Sequence, residues 1–288
     1  MAFAFPGATA LDYTVCHYGN SRVQFRGPRC DLSGGYVACL GGTETFGKFV
    51  PAPYPELVQA RLDVPLANLG CVNAGIDVFL NEPAIVDVAA GARVTVLQIL
   101  GAQNLSNRFY TVHPRRNDRF VHAAPGLKAL YRDIDFTEFH FTRHLLGALL
   151  RKSPDRFALV AEELRMAWLS RMKLLLARLP GPTLLLWIAN HAPPPRRQTM
   201  SLQQDPLLID AEMLAAIRPI ANGYLQVVGS PMAQLNGLRG MAFSEFDRPA
   251  AAEVLGPAVH HEVAGSLAPV LRAMMWRQAL SESSPVIG

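Results

Sequence analysis

The stretch Tyr36-Val37-Ala38-Cys39-Leu40-Gly41-Gly42 is a short apolar run that ends in two glycines. Such a run is typical of a buried parallel strand, because helices cover both faces of the sheet to which it belongs. Val94–Leu100 and Leu184–Ala189 are further apolar runs, and segments with helical spacing separate the three. Strands that alternate with helices in this way predict an α/β fold with a mainly parallel sheet.

The whole chain predicts a three-layer α/β/α sandwich of the SGNH/flavodoxin-like kind, with about five parallel strands. Residues 1–34 are predicted to be an N-terminal extension that packs on the core. Residues 35–288 form one α/β domain with an Arg-rich insertion at 101–135. The expected strands are Tyr36–Leu40, Pro65–Leu69, Val94–Leu100, Leu184–Ala189 and Tyr224–Val228. The expected helices are Tyr54–Leu62, Gly75–Ala90, Phe136–Leu150, Pro154–Leu179, Ala211–Ile220 and His260–Leu280.

Composition narrows the class of protein. With 288 residues, 50% of them hydrophobic and 17% charged, the chain has enough apolar material for a globular core. The net charge is only +4, and the sequence lacks the dense basic stripe of a nucleic-acid module, so no nucleic-acid partner is expected. We find no signal peptide and no apolar stretch that spans a bilayer. The four cysteines form no CxxC pair, which indicates free thiols, a cytoplasmic location and no metal site.

Polar and small residues follow the predicted strands, at the edge of the sheet where ligands bind in such folds. Each group also has a structural interpretation, as a helix cap, a turn or a solvated loop. The groups are Gly41-Gly42-Thr43-Glu44-Thr45-Phe46-Gly47, Asn68-Leu69-Gly70 with Asn73, Gly101-Ala102-Gln103-Asn104, and His260 with Gly265 at the start of the last helix.

Taken in chain order, these four groups resemble the signature blocks of the SGNH (GDSL-type) hydrolase superfamily. The resemblance implies Thr43 as nucleophile and His260 as base, with Asn73 and Asn104 supplying oxyanion donors. It also places Gly42, Gly70 and Gln103 at the substrate. The chain as a whole is similar to a bacterial protein family without an assigned reaction, which would make it a divergent member.

Every block differs from the SGNH pattern. Thr43 stands where the nucleophilic serine belongs, and Gly42 replaces the aspartate before it. Pro257 occupies the position three residues before His260, so the usual triad acid is absent there. An imidazole without an acid partner loses control of its tautomer. The sequence therefore supports the fold more strongly than the hydrolase chemistry.

The insertion after the third strand is rich in arginine, whose planar guanidinium binds phosphate, sulfate or carboxylate groups through paired hydrogen bonds. Because it follows a strand end, we expect it to hold an anionic part of a substrate; a solvated loop with Asp118 pairing one arginine is the alternative. His191 follows the fourth strand and is a further candidate contact. The candidate residues of the insertion are Arg108, His113, Arg115, Arg116 and Arg119.

Three functions remain open at this point. The first is hydrolysis or transfer of an acyl ester on a small molecule or carbohydrate with an anionic group. It needs no cofactor, although coenzyme A would serve as the acyl donor in a transfer. The second is a catalytically inactive SGNH-like protein that binds an anionic carbohydrate or a nucleotide-like ligand. The third is transfer of a sulfuryl or phosphoryl group, for which no Gly-rich P-loop is present.

Overall fold

The computed structural model describes residues 11–196 and 202–283. Within these ranges the strands are β1 (Val37–Gly41), β2 (Leu66–Gly70), β3 (Val94–Gln98), β4 (Tyr110–His113), β5 (Arg116–Ala123), β6 (Thr183–Ala189) and β7 (Gly223–Val228). The helices are α1 (Thr43–Phe46), α2 (Tyr54–Leu62), α3 (Ile76–Asn81), α4 (Pro83–Ala90), α5 (Pro125–Leu130), α6 (Thr142–Lys152), α7 (Pro154–Arg178), α8 (Ala211–Ile217), α9 (Pro231–Asn236), α10 (Arg248–Ala252) and α11 (Pro257–Ser283).

Five strands form one parallel sheet in the order β2-β1-β3-β6-β7. Alternate residues of β1 enter two different cores, since Ala38 and Leu40 belong to one hydrophobic cluster and Val37 and Cys39 to the other. The first core contains residues of α3, α4, α7 and α8, and the second contains residues of α2 and α11. The three-layer α/β/α fold expected from the sequence is therefore confirmed. The strand order is that of flavodoxin-like folds.

Several sequence predictions of secondary structure were wrong. The helix expected over 136–150 begins only at Thr142, after a short 3-10 helix at Phe136–Glu138. Residues 75–90 were expected to be one helix, but the helix is broken at Glu82, directly before Pro83. Proline lacks an N–H group and disfavours helical geometry at the preceding residue. The insertion also contains more regular structure than expected, because β4 and β5 pair as an antiparallel hairpin inside it.

The N-terminal segment contributes to the core through Tyr18, Val23 and Phe25, all buried. Arg26 is also buried, and its guanidinium donates to the carbonyl oxygens of Gly47 (2.7 Å), Val50 (2.9 Å) and Pro51 (2.6 Å). These bonds fix the loop that follows α1. The segment before the sheet therefore stabilises the carboxyl end of β1.

Candidate functional site

Three residues predicted at the site meet at the carboxyl ends of β1, β2 and β3. The N–H group of Asn73 donates to Thr43 Oγ1 at 2.9 Å, and Thr43 Oγ1 donates to Asn73 Oδ1 at 3.3 Å. The amide of Asn104 donates from Nδ2 to the carbonyl oxygen of Asn73 at 3.0 Å. The parallel sheet brings together residues that lie 30 and 31 positions apart in the chain.

Asn73 has a left-handed backbone, with φ of 56°. Asparagine tolerates this conformation better than most residues, because its side chain bonds locally. The turn aims both the N–H group and the amide oxygen of Asn73 at Thr43. The hydroxyl of Thr43 is thus held by one residue, and its acceptor is an amide oxygen, which cannot take a proton as a base.

Asn104 lies beneath this turn as a support. Its side chain is buried, and Oδ1 accepts a 2.6 Å hydrogen bond from Thr142 Oγ1 at the start of α6. Nδ2 is already bonded to Asn73. With both ends of the amide engaged, Asn104 is placed to shape the Asn73 turn.

The two glycines predicted to contact substrate serve close packing. A Cβ atom on Gly70 would lie 2.2 Å from the backbone nitrogen of Phe46, so only glycine lets α1 approach β2. The N–H groups of Gly42 and Gly70 are also engaged, by Gln98 Oε1 and Asn68 Oδ1 respectively, each at 2.9 Å. Neither N–H group is free for a ligand.

Gln103 is buried, and its Oε1 makes no hydrogen bond within the described part of the chain. Its carbonyl oxygen accepts from Tyr110 Oη at 2.6 Å. His191 fastens the loop after β6: Nδ1 lies 2.8 Å from the carbonyl oxygen of Ala192, and Nε2 lies 3.1 Å from that of Asp205. Among the predicted contacts, Gln103 therefore retains an open acceptor and His191 has both ring nitrogens beside protein carbonyls.

His260 is buried in α11, and its ring bonds to a residue other than Thr43. Its Nδ1 accepts the backbone N–H of Tyr54 at 3.0 Å, and its ring stacks on the Tyr54 ring with 6.1 Å between centroids. Nε2 lies 3.7 Å from Glu44 Oε2. Burial, reinforced by the nearby charge of Arg26, lowers the pKa of His260 to about 3.

These contacts fix the tautomer of His260. A neutral imidazole that accepts at Nδ1 carries its proton on Nε2. Nε2 therefore has no free lone pair, and Nδ1 is occupied by Tyr54. No hydrogen bond joins Thr43 to His260, both of which lie in the described part of the chain. This arrangement differs from the one that a general base acting on Thr43 requires.

Glu44 is an acid that the sequence motifs did not single out, and 17% of its side chain is exposed. Its two carboxylate oxygens lie 3.4 and 3.3 Å from the backbone nitrogen of Leu255. Burial raises its pKa from an ordinary 4.5 to about 8, and the negative charge of Asp205 adds to the rise. At neutral pH the Glu44–His260 pair is accordingly close to uncharged.

The four candidate arginines of the insertion, Arg108, Arg115, Arg116 and Arg119, fall into two pairs. Arg108 forms a 2.7 Å ion pair with Glu163, and the Arg119 guanidinium lies 5.1 Å from the centre of the Phe141 ring. Arg115 and Arg116 are exposed, and neither side chain forms an ion pair or a hydrogen bond with the described residues. His113 shapes the hairpin turn between β4 and β5, because its Nδ1 accepts hydrogen bonds from the backbone N–H groups of Arg115 and Arg116.

Asp118 connects the hairpin to the strand-end cluster. Its carboxylate accepts from Asn73 Nδ2 at 3.4 Å and forms no ion pair with an arginine of the described chain. Asp118 lies two residues after Arg116 in β5. We define Thr43, Asn73 and Asp118 as the strand-end cluster.

The comparisons with known proteins begin with a family model. Its description is "Domain of unknown function (DUF6473)", and it matches residues 1–275. The chain belongs to the DUF6473 family. No curated protein matches this DUF6473 chain. Among solved structures, it is similar to the crystal structure of a carbohydrate acetylesterase family member from Sinorhizobium meliloti. That likeness has 12% identity and a TM-score of 0.43, and covers 84% of this chain and 99% of that chain.

The DUF6473 chain also contains a buried polar network that sequence reasoning missed. Gln98 Oε1, at the end of β3, accepts hydrogen bonds from Thr45 Oγ1 (2.6 Å) and from the N–H groups of Gly42 and Thr45. Thr45 Oγ1 also lies 2.8 Å from Tyr54 Oη. The amide in the otherwise apolar second half of Val94–Leu100 was a usable signal, because a buried amide requires partners. The network orients α1 and thereby Thr43.

Two classes of feature are absent from the described ranges. No helix in residues 11–196 and 202–283 has both the length and the apolar character needed to cross a membrane. The same ranges hold no group of three or more His, Cys, Asp or Glu side chains placed to bind a metal ion.

Proposed function

We propose that the chain binds a small anionic ligand at the carboxyl end of its sheet, with Arg115 and Arg116 as the cationic contacts. The observation that carries the proposal is the contrast among the four arginines of residues 108–119. Arg108 and Arg119 have partners within the fold, whereas Arg115 and Arg116 have none among the described residues. Two adjacent guanidinium groups without internal partners are well suited to phosphate, sulfate or carboxylate.

The strand-end cluster adds neutral and acidic contacts beside those cations. Thr43 and Asn73 offer a hydroxyl and an amide, and Asp118 offers a carboxylate without a cationic partner in the described chain. A carboxylate accepts hydrogen bonds from hydroxyl groups. The ligand class that satisfies all of these groups is an anion that also carries hydroxyls, such as an anionic carbohydrate or a nucleotide-like molecule.

A thermal-shift titration tests the anion site. Sulfate, phosphate and coenzyme A are the probes, and the double variant Arg115→Ala/Arg116→Ala is compared with wild type. We expect the variant to lose the ligand-induced rise in melting temperature while its unliganded melting temperature stays nearly unchanged. The control is Arg132→Ala/Arg151→Ala, which removes an exposed arginine outside the β4–β5 hairpin and an exposed arginine of α6. Equal shifts in wild type and in the Arg115/Arg116 variant would reject the proposal.

A second candidate function is acyl-ester hydrolysis or transfer with Thr43 as the nucleophile. One observation favours it: Thr43 is partly exposed at the strand end, with its hydroxyl next to the N–H group of Asn73. Because Nδ1 of His260 already accepts a hydrogen bond from Tyr54, that ring is poorly placed to act as the base for Thr43. Hydrolysis of p-nitrophenyl acetate measures this candidate. Turnover that is lost in Thr43→Ala would support it, and equal turnover in wild type and Thr43→Ala would exclude it.

A further inference from the structure

The two edges of the parallel sheet differ in how they are protected. Strand β2 forms one edge, and two side chains already occupy its backbone donors: Gln59 Oε1 accepts from Leu66 N and Asn68 Oδ1 accepts from Gly70 N, both at 2.9 Å. A cavity of about 450 Å³ lies beside this edge, and charged residues line it. They include Arg29, Asp31, Glu56 and Asp63. Charges and occupied donors are common means of preventing further strand pairing.

Strand β7 forms the other edge and lacks these protections. Its sequence, Gly-Tyr-Leu-Gln-Val-Val over residues 223–228, contains no charged residue and no proline. Gln226 and Val228 are exposed, and β6 is the one strand that pairs with β7 in residues 11–196 and 202–283. An uncharged edge strand of this length presents a row of unpaired backbone groups that can pair with another strand.

We infer that β7 is a dimerisation edge, on which the β7 strand of a second copy of this chain pairs antiparallel across a twofold axis. Ten parallel and antiparallel strands would then form one continuous sheet. A strand that lacks charge does not repel its own copy, and a twofold contact needs only one self-complementary surface. Any partner of different sequence would need an unpaired edge of its own, whereas a second copy brings one.

The side-chain pattern selects a register for this pairing. In an antiparallel pair, directly opposite residues point to the same face, so the axis must pass through a residue. With the axis at Gln226, Tyr224 lies opposite Val228 of the second copy, and Leu225 lies opposite Val227. Aromatic and β-branched side chains stabilise each other in such pairs. The two Gln226 side chains meet at the axis, where amides both donate and accept.

The first experiment measures molar mass in solution by light scattering coupled to size-exclusion chromatography. We expect wild type to show twice the monomer mass. Gln226→Lys places two like charges opposite each other at the axis and should halve that mass. Val121→Lys is the control, since it introduces a lysine at an exposed position of β5, outside the parallel sheet, and should leave the dimer intact. A monomeric wild type, or a Gln226→Lys variant that remains dimeric, overturns the proposal.

A second variant keeps the proposal testable if Gln226→Lys fails to fold. In Gln226→Cys, the two introduced thiols would lie at the axis, where opposite Cβ atoms are about 5 Å apart. Oxidised glutathione should convert them to one intermolecular disulfide, taking up two protons and two electrons. Val121→Cys should form no such band on a non-reducing gel. A dimeric Gln226→Cys protein that does not cross-link overturns the proposed edge and register.

Discussion

Thr43 and Glu44 are neighbours on α1, yet they belong to different chemical environments. Thr43 faces the carboxyl end of the sheet and bonds to the turn residue Asn73. Glu44 turns toward the start of α11, where it meets the backbone of Leu255 just before that helix and the buried ring of His260 within it. One residue of rotation on a helix changes direction by about 100°. The comparison teaches that motif blocks in the correct chain order do not by themselves join a hydroxyl to an imidazole by a hydrogen bond.

The largest expected effect is a loss of stability when the environment of Glu44 and His260 is disturbed. His260→Ala should lower the free energy of unfolding by about 3–5 kcal/mol, because it leaves a cavity and removes the acceptor for the Tyr54 N–H group. Urea unfolding measures it. His261→Ala, at the exposed neighbouring position, is the matched control and should change stability little. His260→Asn, whose amide oxygen can replace Nδ1 as acceptor, should recover part of the loss. A His260→Ala variant as stable as the control would contradict this account.

The next effect is a dependence of stability on pH that arises from Glu44. Its pKa is about 8 in the folded chain and 4.5 ordinarily, so the folded state binds more protons between these values. The stability that protonated Glu44 adds to the folded state is therefore fully present below about pH 4.5 and is lost as the pH rises through about 8. Glu44→Gln cannot ionise, and its stability relative to wild type should increase by about 1–3 kcal/mol from pH 5 to pH 9.

His260 contributes the opposite slope at lower pH. Its pKa is about 3 when folded and 6.5 ordinarily, so the unfolded chain binds more protons as the pH falls below about 6.5. Between about pH 4.5 and 6.5 the two effects oppose each other. Wild type should therefore lose stability below about pH 4.5, through His260, and above about pH 6.5, through Glu44. Unfolding experiments from pH 4 to pH 9 would show it. A Glu44→Gln curve that runs parallel to wild type above pH 5 would refute the raised pKa.

The smallest stability effects belong to the strand-end cluster. Thr43→Ala should cost about 0.5–1.5 kcal/mol, the range of a single hydrogen bond at a partly exposed site. Asn73→Gly should be tolerated, because glycine adopts positive φ freely, whereas Asn73→Ala should cost roughly 1–2 kcal/mol. Thermal melts of the three variants provide the comparison. A Thr43→Ala loss as large as that of His260→Ala would mean that Thr43 holds the fold together.

Much of the fold was predictable because it depends on local pattern. The predicted ends of β1, β3, β6 and β7 differ from those in the structure by at most two residues. Strands β1, β3 and β6 are buried on both faces and therefore read as continuous apolar segments. The β4–β5 hairpin was missed, since its arginines and its irregular register hide the alternation of a half-buried strand.

The candidate site was predictable only in part, for a related reason. Thr43, Asn73 and Asn104 were named from strand-end motifs, and the parallel sheet does bring them together. His260 was named from its spacing to Gly265, but spacing along α11 gives no information on the direction of its ring. Arg115 and Arg116 could not be told apart from Arg108 and Arg119, because the partners of the latter lie in α7 and beside α6.

The sequence by itself determined the layered α/β architecture and the edge of the sheet at which its polar residues collect. Both follow from hydrophobic periodicity and from the common direction of parallel strands. Only the tertiary structure decided that the lone pair of His260 faces Tyr54, that the carboxylate of Glu44 lies beside it, and that Arg115 and Arg116 lack partners in the described chain. Those facts depend on side-chain direction and on contacts between residues far apart in the chain, which local sequence pattern does not encode.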